Sequence, residues 1–131
     1  MLELAAMKKS VYVVDDDDDV REVLLYALEH EGYVVTAFTN GLSALNFLKK
    51  LSLDNYPGLI ILDYHMPEMD GVTFINTVKK DFPQTLGSIP LAICTAEDDC
   101  RKTSSLPKEV IQLNKPMSLD DLLKVVHTHC H

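Results

Sequence analysis

The sequence lacks any apolar run long enough to cross a membrane, since none approaches the roughly 18 residues that a spanning helix needs. It also lacks the features of a signal peptide: the apolar stretch within Met1–Ser10 is short, and its lysines follow that stretch instead of preceding it. These absences argue against a membrane protein and a secreted protein. We therefore expect a cytoplasmic location.

Cysteines and clustered basic residues are also scarce. The three cysteines, Cys94, Cys100 and Cys130, are odd in number and have no metal-ligand spacing, which favours reduced thiols over a disulfide framework. The net charge is −8, and the few basic residues are scattered, whereas contacts to phosphates need clustered Lys and Arg. We expect no direct binding of nucleic acid, and proteins or cations as partners.

The 131 residues suffice for one substantial core but not for two domains of ordinary size. Short apolar runs alternate with helical patterns from end to end, which is typical of βαβ units and a parallel sheet. The predicted strands are Val11–Val14, Tyr33–Phe38, Leu59–Leu62, Leu91–Cys94 and Val110–Leu113. This pattern predicts an α/β fold, a doubly wound five-stranded parallel sheet of flavodoxin-like order 2-1-3-4-5 with helices on both faces.

Local signals refine this prediction. Most runs are continuously apolar, as strands covered on both faces should be, and Cys94 is predicted to lie in the core. Tyr33–Phe38 is mixed and is predicted to be an edge strand. The connection Glu97–Lys108 has little apolar surface to bury, so the helix there, the fourth of such a fold, is predicted to be short or irregular.

The remaining helices are indicated by apolar residues at helical spacing. The first has Val20, Val23, Leu24, Ala27 and Leu28 on one side, with Asp17 or Asp18 as its cap and Gly32 as a left-handed C′ residue. The second runs from about Leu42 to Leu51 with Leu42, Leu45 and Leu48 inward, the third from Val72 to about Asp81, and the last follows Ser118 as its cap.

Acidic residues follow two of the predicted strands. Asp15 and Asp16 end the first run and Asp63 ends the third, and these strands flank the topological switch point where ligands bind in such sheets. Clustered carboxylates are costly without a cation, and hard oxygen ligands in an open site suit Mg²⁺ with a phosphate. The sequence therefore predicts an Mg²⁺ and phosphoryl site at this edge.

A carboxylate in such a site can act as a nucleophile toward phosphorus when a metal and a lysine neutralise the transferring group. Asp63 would be that nucleophile, Lys115 would pair with a phosphoryl oxygen, and the Thr95 hydroxyl could donate to another. An EF-hand is excluded, because the loop that would start at Asp15 has Val20 and Tyr26 where Gly and Glu are needed.

Four pieces of the sequence carry a resemblance: Val-Val-Asp-Asp at 13–16, Leu-Asp-Tyr-His-Met-Pro-Glu-Met-Asp-Gly at 62–71, Thr-Ala at 95–96 and Lys-Pro at 115–116. In this order and spacing they resemble the receiver domain of two-component response regulators, especially the single-domain kind found among chemotaxis regulators. The resemblance implies a receiver domain at 9–128, an N-terminal extension at 1–8 and a tail at 129–131.

The resemblance also implies a function. Asp63 would accept a phosphoryl group from a histidine kinase or phosphotransfer protein, with Mg²⁺ held by Asp15, Asp16, Asp63 and the backbone carbonyl of His65. The Lys115–Pro116 peptide would be cis, as X–Pro bonds can be. The chain would then be no enzyme but a phosphoacceptor that assists its own phosphorylation and dephosphorylation and switches contacts with an unknown downstream protein.

Two features depart from the family pattern. Gln112 stands three residues before the lysine, where receivers usually carry an aromatic residue that moves upon phosphorylation. The segment Glu97–Lys108 lacks the usual apolar helical face and the Gly-Ala pair that precedes the fifth strand. The usual route from phosphate to output is therefore predicted to be altered.

Alternative functions remain open from the sequence alone. The chain could be a receiver-like adaptor that works without phosphate, the receiver half of a larger DNA-binding regulator, or a partner in a homodimer. A phosphatase with an aspartyl nucleophile would need an acid where His65 stands, and His65 could instead tune hydrolysis of the acyl phosphate. The C-terminal end holds four residues that can ligate a metal, and we interpret them as having no metal-binding role: His127, His129, Cys130 and His131.

Overall fold

A computed structural model describes residues 10–96, 103, 105–116 and 118–130. The five strands are β1 (Ser10–Val14), β2 (Val34–Phe38), β3 (Leu59–Asp63), β4 (Leu91–Thr95) and β5 (Ile111–Asn114). All neighbouring pairs are parallel, and the sheet order is β2-β1-β3-β4-β5. The predicted fold class, strand order and edge position of the second strand are confirmed.

Four α-helices have their bounds in the described part of the chain: α1 (Asp18–His30), α2 (Gly41–Lys49), α3 (Gly71–Asp81) and α4 (Leu119–His129). Two short 3-10 helices lie at Leu53–Asn55 and Leu86–Ser88. Each α-helix is capped at its start by a side chain that accepts a hydrogen bond from a backbone N–H of the first turn. The capping residues are, in order, Asp17, Asn40, Asp70 and Ser118. Gly32, with φ +93°, follows the end of α1 in the left-handed region that glycine tolerates. No described helix is long and apolar enough to cross a membrane.

The prediction for the second helix is wrong at Leu42. Leu42 is 39% exposed, whereas Gly41, Ala44, Leu45 and Leu48 are buried. Each residue turns an α-helix by about 100°, so the buried face centres between these four and leaves Leu42 at its margin. The helix also ends at Lys49, two residues before Leu51.

The side chains of the central strands alternate between two cores. On one face of the sheet Tyr12 and Val14 pack with α2 and α3, and on the other Val11 and Val13 pack with α1 and α4. Cys94 belongs to the second core and is 4% exposed, as predicted. Because both faces are covered, only the ends of the strands are open to ligands.

The connection between β4 and β5 is only partly described, and residues 97–102 and 104 lie outside the described part. The expectation of a short or irregular helix there is therefore untested. Thr103 and Leu106 are buried, the latter within the core beside α3.

Candidate functional site

The three acidic residues singled out in the sequence lie together at the carboxyl edge of the sheet. β1 and β3 are neighbours, with Val14 opposite Leu62, so Asp15 and Asp63 come next to each other at the strand ends. One carboxylate oxygen from each of Asp15, Asp16 and Asp63 lies within 4.8 Å of the others. Asp15 and Asp63 are buried and Asp16 is exposed, so the cluster opens toward solvent on one side.

Lys115 reaches this cluster from the far strand. It directly follows β5, and its backbone N–H donates to the carbonyl of Thr95 at 2.8 Å. Its Nζ donates to Oδ1 of Asp63 at 2.5 Å, a charge-assisted hydrogen bond. The peptide to Pro116 is cis, as the resemblance implied.

Thr95 ends β4, between the strands that carry Asp63 and Lys115. It is 1% exposed, and its Oγ1 has no hydrogen-bond partner among the described residues. A buried hydroxyl without a partner costs about 1–3 kcal/mol, so such groups usually have a role. An oxygen-rich ligand beside Asp63 would supply that partner.

Burial and charge tune the titratable groups of the site. Burial raises the pKa of Asp15, the hydrogen bond from the Asp17 N–H opposes it, and the nearby charge of Asp63 raises it further. Burial alone would lower the pKa of Lys115, but the hydrogen bond and charge of Asp63 outweigh it and the pKa is raised. Lys115 is therefore an ammonium at neutral pH.

Cys94 is not a competing nucleophile, although it lies beside Asp63 in the β3–β4 register. Burial raises the pKa of its thiol to about 12. The thiol is therefore neutral at physiological pH, and a thiolate is what reacts.

The carboxylate cluster fits a hard divalent cation. Three carboxylates balanced by one ammonium leave negative charge in a largely buried place, and all the available donor atoms are oxygens. Mg²⁺ prefers such oxygens and keeps several of its waters, which suits the open side at Asp16. The residues that could hold it are Asp15, Asp16 and Asp63.

Gly71 is needed for the position of Asp63, for a reason the sequence did not show. A Cβ on Gly71 would lie 2.6 Å from the backbone oxygen of Asp63 and 2.9 Å from Cδ1 of Ile93. Its N–H donates to the carbonyl of Tyr64 at 2.9 Å. The start of α3 thus packs directly against the end of β3, which only glycine permits.

Three further residues, Arg21, Gln112 and His65, have contacts that sequence reasoning missed or left undefined. Arg21 donates to the backbone carbonyl of Asp15, and the only sequence signal for it was its position three residues after Asp18. Gln112 exchanges two hydrogen bonds with Thr103: its Nε2 donates to the Thr103 carbonyl at 3.3 Å, and the Thr103 hydroxyl donates to its Oε1 at 3.1 Å. His65, two residues after Asp63, is exposed, and its ring lies edge-on to that of Tyr64.

Comparison with known proteins agrees with this geometry. A family model described as the response regulator receiver domain matches residues 11–127. The response regulator receiver protein CpdR of Brucella abortus (strain 2308) is 32% identical over 118 residues, which are 90% of this chain and 93% of CpdR. The DNA-binding transcriptional regulator NtrC of Proteus hauseri is 31% identical over 121 residues, 91% of this chain but 24% of NtrC, so the chain spans about a quarter of that relative.

Among solved structures, the signal receiver domain of a signal transduction histidine kinase from Syntrophus aciditrophicus has a TM-score of 0.82 and 27% identity. The match covers 93% of this chain and 89% of that chain. Fold, sequence and the acidic cluster thus agree. The chain belongs to the response regulator receiver domain family, the signalling domains of two-component systems that interact with histidine kinases or phosphotransfer proteins.

Proposed function

We propose that Asp63 accepts a phosphoryl group from a histidine kinase or phosphotransfer protein, with Mg²⁺ held by Asp15, Asp16, Asp63 and the backbone carbonyl of His65. The observation that carries this proposal is the arrangement around Asp63. Its carboxylate clusters with two further acids and pairs with the Lys115 ammonium, and the neighbouring strand ends at Thr95, whose buried hydroxyl has no partner among the described residues.

In the proposed reaction a carboxylate oxygen of Asp63 attacks the phosphorus of a phosphohistidine. The new P–O bond forms as the P–N bond breaks, and the leaving imidazole takes up a proton. Lys115 then pairs with one phosphoryl oxygen and the Thr95 hydroxyl donates to another, which satisfies the orphaned group. Mg²⁺, when bound, neutralises charge on the transferring phosphoryl group.

The same site argues against a hydrolytic enzyme. An aspartyl phosphatase would need a second acid two residues after the nucleophile, and His65 stands there. The proposed role is that of a phosphoacceptor that assists its own phosphorylation and dephosphorylation, and a role for His65 in tuning the hydrolysis stays a prediction. Domain limits of 9–128 and a cytoplasmic location also stay predictions.

The partner that donates the phosphoryl group would approach the open side of the cluster. A groove of about 600 Å³ between α1 and α4 begins there, lined by Lys115 and Pro116 together with Val20, Val23 and Leu119. Val23 is 54% and Leu119 45% exposed, and acidic Asp19 lies at the margin. This mainly apolar surface suits an apolar helix of a partner protein.

The output is proposed to be a contact with another protein. A receiver acting alone is supported by CpdR, which this chain matches over 93% of its length, whereas NtrC supports a receiver attached to a DNA-binding regulator. An adaptor that works without phosphate is disfavoured by the intact acidic pair, threonine and lysine. Homodimer formation stays open.

The test is phosphorylation by acetyl phosphate with Mg²⁺, followed by intact mass. Wild type should gain one phosphoryl group and Asp63→Asn none, while Asp54→Asn, at an exposed site in the loop before β3, should behave as wild type. Labelling that survives in Asp63→Asn would contradict the choice of acceptor. Absence of labelling in wild type, together with retained partner binding, would favour the adaptor.

A further inference from the structure

Arg21 joins the first turns of α1 to the loop that carries two of the three carboxylates. Its Nη1 donates to the backbone carbonyl of Asp15 at 2.7 Å, and its Nη2 pairs with the carboxylate of Asp18. The side chain is only 17% exposed, although it is long and charged. Arg21 is thus committed to two acceptors on either side of Asp16.

The carbonyl that Arg21 holds belongs to the peptide unit between Asp15 and Asp16. A peptide unit is planar, so holding the Asp15 C=O also sets the direction of the Asp16 N–H and Cα. Two other hydrogen bonds hold this turn: the Asp15 N–H donates to the Phe38 carbonyl at 3.1 Å, and the Asp17 N–H, which belongs to the Asp16–Asp17 peptide, donates to Oδ1 of Asp15 at 2.9 Å. Among the hydrogen bonds described, only that of Arg21 is made directly to the Asp15–Asp16 peptide unit.

We propose that Arg21 is a positioning residue for the cation site, a proposal that rests on the function proposed above. It acts by orienting the Asp15–Asp16 peptide, so that the buried carboxylate of Asp15 and the exposed one of Asp16 converge on one cation. Groups that support metal ligands through hydrogen bonds commonly change metal affinity 10–100-fold when removed.

A purely structural role for Arg21 predicts something different. The start of α1 is already capped, because Asp17 accepts the N–H groups of Asp19 and Val20 and its carbonyl accepts the Arg21 N–H. Loss of the Arg21 side chain therefore leaves the helix cap intact. The main effect of a substitution should fall on cation binding and not on the stability of the cation-free fold.

The direction of the change in Mg²⁺ affinity distinguishes a positioning role of Arg21 from a direct effect of its charge. Arg21 is a cation near a proposed cation site, so removing its charge should by Coulomb's law strengthen Mg²⁺ binding. Loss of orientation should weaken it. Weaker binding in a variant that lacks the positive charge can therefore not arise from the charge.

The experiment measures Mg²⁺ affinity by isothermal titration calorimetry on the full chain, alongside thermal unfolding without Mg²⁺. Arg21→Met, which keeps the aliphatic stem and removes the donors, should weaken Mg²⁺ binding about tenfold. Arg21→Lys, which keeps the charge and one donor group, should bind more weakly than wild type but better than Arg21→Met. Asp18→Asn loses the ion pair and keeps the donor to Asp15; because Asp18 is 84% exposed and its charge is screened, its affinity should fall by much less than that of Arg21→Met.

Equal or tighter Mg²⁺ binding in Arg21→Met, with Asp16→Asn impaired as the site requires, would overturn the role of Arg21 and leave the site standing. Wild type that binds no Mg²⁺, or Asp16→Asn that binds like wild type, would overturn the site and this inference with it. If Arg21→Met does not fold, Arg21→Lys decides, and affinity equal to that of wild type would refute the proposal.

Discussion

Nζ of Lys115 donates to Oδ1 of Asp63 at 2.5 Å, across the end of β4 that lies between their two strands. The contact joins the residue after β5 to the last residue of β3, and Thr95, whose hydroxyl is buried, ends the strand between them. A phosphoryl group on Asp63 would lie where both side chains could reach it. Substitution of Lys115 should therefore affect both the resting and the phosphorylated state of the protein.

Lys115→Ala should leave Asp63 reactive toward acetyl phosphate but weaken the response of the protein to phosphorylation. A hydrogen bond to a charged group contributes about 1.5–3 kcal/mol when buried, and the 39% exposure of Lys115 places the expected loss of stability near or below about 1 kcal/mol. Urea unfolding measures the loss, and amide chemical shifts with a beryllofluoride phosphate mimic measure the response. If the variant matches wild type in both stability and chemical-shift response, Lys115 has no role in either state.

Asp16→Asn should raise the melting temperature in the absence of Mg²⁺, because it removes one of three repelling carboxylates. Added Mg²⁺ should then stabilise wild type more than the variant. Asp63→Asn relieves the same repulsion but also loses the Lys115 pair, so its gain should be smaller. Thermal unfolding with and without Mg²⁺ measures both effects, and equal stabilisation of all three proteins by Mg²⁺ would refute the metal assignment.

Asp15→Asn should change how stability depends on pH without Mg²⁺. The pKa of Asp15 is raised in the folded protein, mainly by burial, so the protonated carboxyl stabilises the fold and that contribution is lost as pH rises through the folded pKa. Asparagine keeps the acceptor for the Asp17 N–H but cannot ionise. The variant should therefore gain stability relative to wild type as pH rises from about 4 toward neutrality.

Urea unfolding of both proteins across that pH range tests this prediction. Asp54→Asn serves as the control, since Asp54 is an exposed aspartate outside the acidic cluster. A stability difference between Asp15→Asn and wild type that stays constant over the range would show that burial of Asp15 has no such effect.

Gly71→Ala should impair phosphorylation more than its effect on stability suggests. The new methyl group would press on the backbone of Asp63, a crowding that typically costs about 1–3 kcal/mol and would displace the acceptor. Gly32→Ala is the matched control: its Cβ meets nothing within 4 Å, but its φ of +93° makes alanine strained. Both variants should lose stability, yet only Gly71→Ala should label more slowly with acetyl phosphate.

Phosphorylation rates of the two alanine variants, compared under conditions where both are folded by circular dichroism, check this expectation. Equal slowing in Gly32→Ala would attribute the effect to general loss of stability. Normal labelling of Gly71→Ala would show that the end of β3 can shift without loss of function.

Local sequence patterns were sufficient for most of the fold. Continuous apolar runs of four to six residues that alternate with helical patterns favour parallel strands covered on both faces, and helical spacing with capping residues marks the helices between them. The meeting of Asp15, Asp16 and Asp63 follows from strand ends alone, because neighbouring parallel strands bring their carboxyl ends to one edge.

The sequence by itself thus determined the five strands to within one residue at either end and which acids lie at the sheet edge, since both depend on chain order and short-range periodicity. Only the tertiary structure decided the exposure of Leu42, the contact of Arg21 with the Asp15 carbonyl, the closeness of Gly71 to Asp63 and the pairing of Gln112 with Thr103. These depend on how α1, α2, α3 and the segment before β5 pack on the sheet to within about 1 Å, and no periodicity in a sequence encodes a distance between elements at that scale.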